Sequence, residues 1–139
     1  MTGEDLKIGI VAIIHNNGKY LLGLRKTGTS PGTWGFAGGT LVPGETPENF
    51  LIRKAKEETT LDIKNLRPIT SFDYFFEDLG ESQHLQFFLA DSDSDQAVDT
   101  AGKHAEWCWC KWGEFPEPLM KPIYKILKDF PNEQNLWNK

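Results

Sequence analysis

The chain has 139 residues, 39% hydrophobic and 25% charged. That is enough for one domain, residues 1–139, burying roughly 68% of its unfolded surface. Twenty acids against 15 bases give a net charge of −5, which argues against a protein that coats a nucleic-acid polymer but leaves room for a nucleotide on a local basic patch.

The start, MTGEDLK, has no signal-peptide pattern, and the longest apolar run, Ile8 to Ile14, is far too short to span a membrane. Lys7 to His15 reads as a strand buried on both faces. Asn16-Asn17-Gly18 is a hairpin turn, and Lys19 to Arg25 is the returning strand. Lys26 to Thr33 is a loop by its Gly, Pro, Ser and Thr content. Trp34 to Ala37 is a short strand ending at Gly38-Gly39. A helix follows, with Thr46 as N-cap, Pro47 at the first position, Glu48 facing the positive helix end, and a run to about Thr59. Leu51 and Ala55, with Phe50 and Ile52 beside them, give it an apolar stripe. Leu61 to Asp73 and Leu85 to Ala90 read as strands, and Asp91 to Gly102 as a solvated polar loop. Glu106 to Lys111 is a strand with Trp107 and Trp109 on one face. Its Cys108 and Cys110 point the same way but in a spacing that rarely reaches disulfide geometry, which fits a reduced, cytoplasmic protein. Three scattered histidines give no zinc spacing. Pro116-Glu117-Pro118 breaks the chain before a last helix, Lys121 to Asp129, with Ile123, Ile126 and Leu127 at helical spacing. This order predicts an α+β protein, an α/β/α sandwich with a mixed central sheet.

The chemistry concentrates between Gly38 and Glu58. Glu57 and Glu58 sit in the last helical turn, at the negative end of the dipole, where paired acids cost stability and call for a cation. Arg53 can pair with Glu57 one turn away. Glu58 can then face a divalent metal, which takes carboxylate and carbonyl oxygens, and the glycines let a bare carbonyl approach. The plainer alternative is a surface helix laced with Glu–Lys pairs.

Spacing decides between them. Gly39, five residues, Glu45, seven residues, Arg53, then Glu57-Glu58 and Leu61 resemble the Nudix box, G-x5-E-x7-R-E-U-x-E-E-x-G-U with U apolar, of the MutT-like Nudix hydrolases. Leu21 to Arg25 looks like the strand before that box. His104 to Trp109, Trp112 and Phe115 to Leu119 look like the approach to the family's last helix. The resemblance implies the Nudix fold and hydrolysis of a nucleoside diphosphate linked to another moiety, with Mg²⁺ or Mn²⁺ as cofactor. Carried over by position, Glu57, Glu58 and the Gly39 carbonyl are the implied metal ligands. Arg53 orients the glutamates, Glu45 tethers the loop, and Arg25 holds a substrate phosphate. For Arg25 the alternative is an exposed charge at a strand end.

Three positions depart from the box: Ala37 for a common Pro, Thr60 for Gly and Lys54 for Glu. Thr60 bears on how the helix ends, since Gly is easier in a left-handed cap. Lys54 removes an implied ligand or base. It can swing outward, contact a substrate phosphate, or pair with Glu58 and leave the metal weak or absent. Lys103 stands where many members have an acid, and His104 follows. A sugar-nucleotide branch of the family uses a histidine in this region as general base, so His104 is a candidate base, against the alternative of an exposed loop histidine. Glu106, Glu77, Asp78 and Glu81 are unranked candidates. Phe72, Tyr74 and Phe75, or Trp107 and Trp109, are candidates to stack on a base, although strand aromatics are more often core.

The expected function is therefore divalent-metal-dependent hydrolysis of a nucleoside triphosphate to release pyrophosphate. The alternatives are a sugar-nucleotide hydrolase using His104, or a weakened nucleotide-binding module marked by Lys54. The expected partner is a nucleotide, with no nucleic-acid polymer and no membrane; a homodimer is compatible with such a fold, with no interface located.

Overall fold

The computed structural model describes residues 6–28, 30–98 and 102–138. Its elements are β1 (Lys7–Asn16), β2 (Lys19–Arg25), β3 (Trp34–Gly35), β4 (Ala37–Thr40), α1 (Pro47–Thr59), β5 (Ile63–Phe76), β6 (Glu81–Ser92), β7 (His104–Cys110), α2 (Lys121–Asp129) and α3 (Glu133–Trp137).

β1 organises the sheet. It runs parallel to β6 from Lys7 opposite Gln83 to His15 opposite Asp91, and β6 pairs antiparallel with β5. Asn17 and Gly18 both take positive φ, 49° and 79°, and close the hairpin from β1 to β2. The two strands stay paired only at His15–Tyr20 and Asn16–Lys19. Beyond that they part. β4 takes the vacated edge of β1, from Gly9–Thr40 to Ala12–Ala37, while β2 pairs with β3 and β7. The result is a mixed sheet that forks.

Strand alternation sends the residues of β1 into two separate cores. Ile10, Ala12 and Ile14 pack with Phe50, Leu51 and Ala55 of α1. Ile13 packs on the other side with Leu22, Phe87 and with Ile123 and Ile126 of α2. This is the α/β/α sandwich expected from a first strand buried on both faces.

Several boundaries differ from the sequence expectation. Gly38 and Gly39 lie inside a strand rather than ending one, because their backbone continues the ladder with β1. β5 and β6 extend through Phe76 and from Glu81, since the chain between them turns tightly through Gly80 at φ 65°. Within the stretch expected as a polar loop, Asp91 and Ser92 still belong to β6, and 99–101 lie outside the described residues. β7 starts at His104. Trp107 and Trp109 do share a face, toward the α1 core. Cys108 and Cys110 pack toward the other core and are free thiols, with burial and the neighbouring thiol pushing Cys108 up to about 12. The short α3 was not expected; its signal is the capping box in which Asn132 and Asn135 bond each other's backbone N–H.

Candidate active site

α1 forms as its ends dictate. The Thr46 hydroxyl accepts from the Asn49 N–H at 3.2 Å, and Pro47 opens the first turn. At the other end Thr60 is left-handed, φ 68° and ψ 0°, and its N–H reaches Lys56 O. The buried stripe is Phe50, Leu51, Ala55, Glu58 and Thr59. Helical periodicity therefore carries the carboxylate of Glu58 inward on the same face as Leu51 and Ala55.

Glu58 is only 3% exposed, and its Oε1 accepts from the Gly38 N–H at 3.4 Å. Burial raises its pKa above the ordinary carboxylate value, opposed by the charge of Lys54, the Gly38 N–H, and the charges of Lys103 and Arg25. Arg25 feels the reciprocal field: burial lowers its pKa, while Glu58 and Asp78 pull the other way. It remains a guanidinium.

Arg53 ties the loop to the helix. Its Nε donates to Glu45 Oε2 at 3.0 Å and its Nη2 to Glu45 Oε1 at 2.6 Å, while Nη1 donates to Glu57 Oε2 at 2.9 Å. The bonds from Arg53 hold the Glu45 carboxyl below its usual range and raise Arg53 itself. Lys54 lies 3.9 Å from Glu57 Oε1 through its Nζ, which stands 6.0 Å from the centre of the Phe50 ring. Its side chain is 19% exposed, so it points inward rather than out to solvent.

The two glycines differ in what they allow. A Cβ on Gly38 (φ 155°) would lie 2.2 Å from Ile10 O, so nothing larger fits against β1. A Cβ on Gly39 would sit 3.4 Å from Lys54 Cε and from Phe50 Cζ, which is ordinary contact.

These groups line a cleft of about 510 Å³. One part is charged, with Arg25, Arg53, Lys54, Glu58 and Lys103 beside Gly38 and Gly39. The other is mostly apolar, with Phe36, Phe76, Leu85, Phe87, Met120 and Ile123, and holds the amide of Gln83. Of the residues singled out in the sequence, Arg25, Gly39, Arg53, Lys54 and Glu58 meet here, and Glu57 joins through Arg53. His104 is not among the lining residues. It is 3% exposed, with its ring 4.3 Å from that of Trp107, and both rings crowd the space where Gly23 lacks a side chain.

The aromatic expectations also shift. Phe72 stacks on Phe87 within the core, Phe75 is exposed, and the Trp109 indole donates to Asp95 O. The cleft is lined by Phe36 and Phe76 instead, which sequence reasoning missed, together with Gln83. Phe76 shares the face of Phe72 and Tyr74 by strand alternation, and that was the available signal. Of the loop acids, Asp78 accepts from the Ser30 N–H at 3.1 Å.

The carboxylates of Glu57 and Glu58 and the Gly39 carbonyl are hard oxygen donors, and burial of Glu58 without matching solvent makes a cation there favourable. Among the described residues no three His, Cys, Asp or Glu side chains gather as a complete metal cage. The chemistry of these donors suits a hard divalent cation, which Glu57, Glu58 and the Gly39 carbonyl would hold.

A family model described as NUDIX domain matches residues 5–130. An oxidized purine nucleoside triphosphate hydrolase of Danio rerio is 27% identical over 101 residues, 73% of this chain and 65% of the relative. The nucleoside triphosphatase NudI of an Enterobacter species is 41% identical over 63 residues, 42% of this chain and 45% of the relative. The chain thus spans less than two thirds of the length of either. The crystal structure of a MutT NUDIX hydrolase from Burkholderia pseudomallei superposes with a TM-score of 0.82 at 24% identity, covering 91% of this chain and 99% of that one. Among the described residues no helix is long and apolar enough to cross a membrane.

Proposed function

From the premise that this chain belongs to the NUDIX domain family, we propose that it is a nucleoside triphosphate pyrophosphohydrolase, acting as one domain with Mg²⁺ or Mn²⁺. The observation that carries this reading is Arg53 fastening Glu45 and Glu57 beside a buried Glu58 in the charged part of the cleft.

The apolar part, with Phe36, Phe76 and Phe87, takes the base, and the Gln83 amide offers it a donor and an acceptor. Arg25 and Lys103 hold the phosphates where Glu58 alone would repel them. Arg53 keeps the loop and the helix in one register, so that the Gly39 carbonyl, Glu57 and Glu58 converge on the anhydride. Those three would hold the metal, which when bound neutralises phosphate charge and makes water a better nucleophile. Water adds to a phosphorus of the α–β anhydride, the bond from that phosphorus to the bridging oxygen breaks, the proton shed by water passes to solvent, and monophosphate and pyrophosphate are the products. The free thiols accord with a cytoplasmic setting.

A second reading, nucleotide binding without turnover, draws on Lys54, whose ammonium lies 3.9 Å from Glu57 Oε1. The sugar-nucleotide alternative draws no such support, because His104 does not line the cleft. The test is a panel of ordinary and oxidised nucleoside triphosphates, and nucleotide sugars, incubated with Mg²⁺ or Mn²⁺ and resolved by mass. Monophosphate and pyrophosphate formed by the wild type and lost in Glu58→Gln are expected. Nucleotide binding with no product from any substrate would overturn the hydrolase reading.

A further inference from the structure

The chain carries a net charge of −5, yet among the described residues the charged side chains lining its cleft are Arg25, Lys54, Lys103 and Glu58, with Arg53, whose charge is met by Glu45 and Glu57. A pocket that relied on metal ions alone to meet a polyphosphate would show the opposite balance, with acids gathered for the metals and the cations supplied from solution. Here the balance is already that of an anion site.

Lys54 is responsible for the inversion at its centre. It is held in place rather than trailing in solvent. Its Cε would touch a Cβ on Gly39 at 3.4 Å, its ammonium faces the Phe50 ring at 6.0 Å, and the side chain is 19% exposed. The ammonium lies 3.9 Å from Glu57 Oε1 and is the leading charge acting on Glu58. It therefore stands among the three groups that would hold a metal: Glu57, Glu58 and the Gly39 backbone. A tethered cation there meets part of their charge continuously, and it repels a second divalent ion at the same oxygens. Lys103 and Arg25 add to the same field at Glu58.

We propose that Lys54 is a resident counter-ion that takes the place of one divalent cation, so that this cleft binds a triphosphate chain in metal-free form. The proposal rests on the nucleotide reading of the cleft but not on turnover. It makes free polyphosphate the form first bound, with divalent metal joining at the oxygens that Lys54 leaves.

The test uses inorganic triphosphate, which removes base preference from the question, titrated calorimetrically into the full chain with EDTA present. The wild type is expected to bind. Lys54→Met, which keeps the stem over Phe50, should weaken that binding about tenfold or more, the loss of one charge-assisted contact. Lys54→Glu should weaken it further and bind Mn²⁺ more tightly than the wild type by electron paramagnetic resonance. Lys56→Met is the control, because the Lys56 ammonium lies on Asp62 at 3.2 Å, and it should bind as the wild type does. Binding by the wild type only when Mg²⁺ is supplied, or equal binding by Lys54→Met in EDTA, overturns the proposal. Nucleotide turnover with Mg²⁺ is scored separately. Turnover without metal-free binding sinks the counter-ion and leaves the hydrolase. Metal-free binding without turnover does the reverse.

Discussion

Arg53 grips Glu45 with two parallel hydrogen bonds, 3.0 and 2.6 Å long, across the seven residues that separate them. The fork geometry is particular to guanidinium and carboxylate. Arg53→Lys keeps the charge but has a single nitrogen in place of the planar fork, so it cannot span both Glu45 oxygens and Glu57 as Arg53 does. The expected outcome is a loss of about 10–100-fold in kcat, with an unchanged far-ultraviolet circular dichroism spectrum. A kcat within a factor of about two of wild type would show that the clamp does not position the carboxylates.

Glu58 is held at a cost to the fold. Its pKa is raised by burial, so folding disfavours the charged form relative to the neutral one. Its contribution to stability is in full force below the ordinary carboxylate value of about 4.3 and fades as pH rises through the folded value. At neutral pH Glu58→Gln should therefore raise the unfolding free energy of the metal-free protein, by about 1 kcal/mol, while abolishing turnover. Urea unfolding with EDTA, compared across acid and neutral pH, measures this; a less stable Gln variant at neutral pH would contradict it.

The adjacent glycines should respond differently to one methyl group. Gly38→Ala places a Cβ 2.2 Å from Ile10 O and is expected to destabilise by more than about 3 kcal/mol. Gly39→Ala meets Lys54 and Phe50 at ordinary contact distance and should fold with a loss under about 1 kcal/mol. Thermal unfolding of the pair gives the comparison, and equal melting temperatures would refute it.

Thr60 is a β-branched residue at φ 68°, a conformation that costs about 1–2 kcal/mol outside glycine. Its hydroxyl recovers some of this through Thr59 O and Gln96 O. Thr60→Gly is expected to stabilise the chain by about 0.5–1 kcal/mol, visible as a higher urea midpoint at constant slope, and a lower midpoint would count against it.

His104 packs against Trp107 and does not line the cleft. His104→Asn should lower the melting temperature, as expected for a buried ring replaced by a smaller group, with a cost of about 1–3 kcal/mol. Below that temperature, kcat for nucleoside triphosphates should stay within about threefold of wild type. Turnover lost at full folding would restore His104 as a catalytic base.

Much of the helix was legible because its signals are local. Thr46 and Pro47 fix its start, and spacing along one helix brings Arg53 to Glu57 without further information. Its reach to Glu45 depends on a loop, and only the motif resemblance pointed there. What could not be read depends on neighbours distant in sequence. Gly38 matters because of the Ile10 carbonyl on another strand, Phe36 and Phe76 because α2 closes over that face, and the inward course of Lys54 because Phe50 and Gly39 hold its stem. The left-handed cap at Thr60 was marked by the motif's glycine, although the residue itself gives no hint of it.

The fork in the sheet sets where the chain tolerates a change of length. β1 and β2 share only two ladder positions, at the hairpin around Asn17 and Gly18. Tyr20 and Leu22 then enter one core and Leu21 the other. One residue inserted in that hairpin would invert the assignment of the whole of β2, sending aromatic bulk toward α1 and leaving the opposite layer hollow. The same insertion after Arg25, in the connection to β3, would pass without reassigning any buried side chain. The tight turn and the longer connection thus differ in their freedom to vary, and the constrained one lies far along β2 from the arginine whose placement it governs.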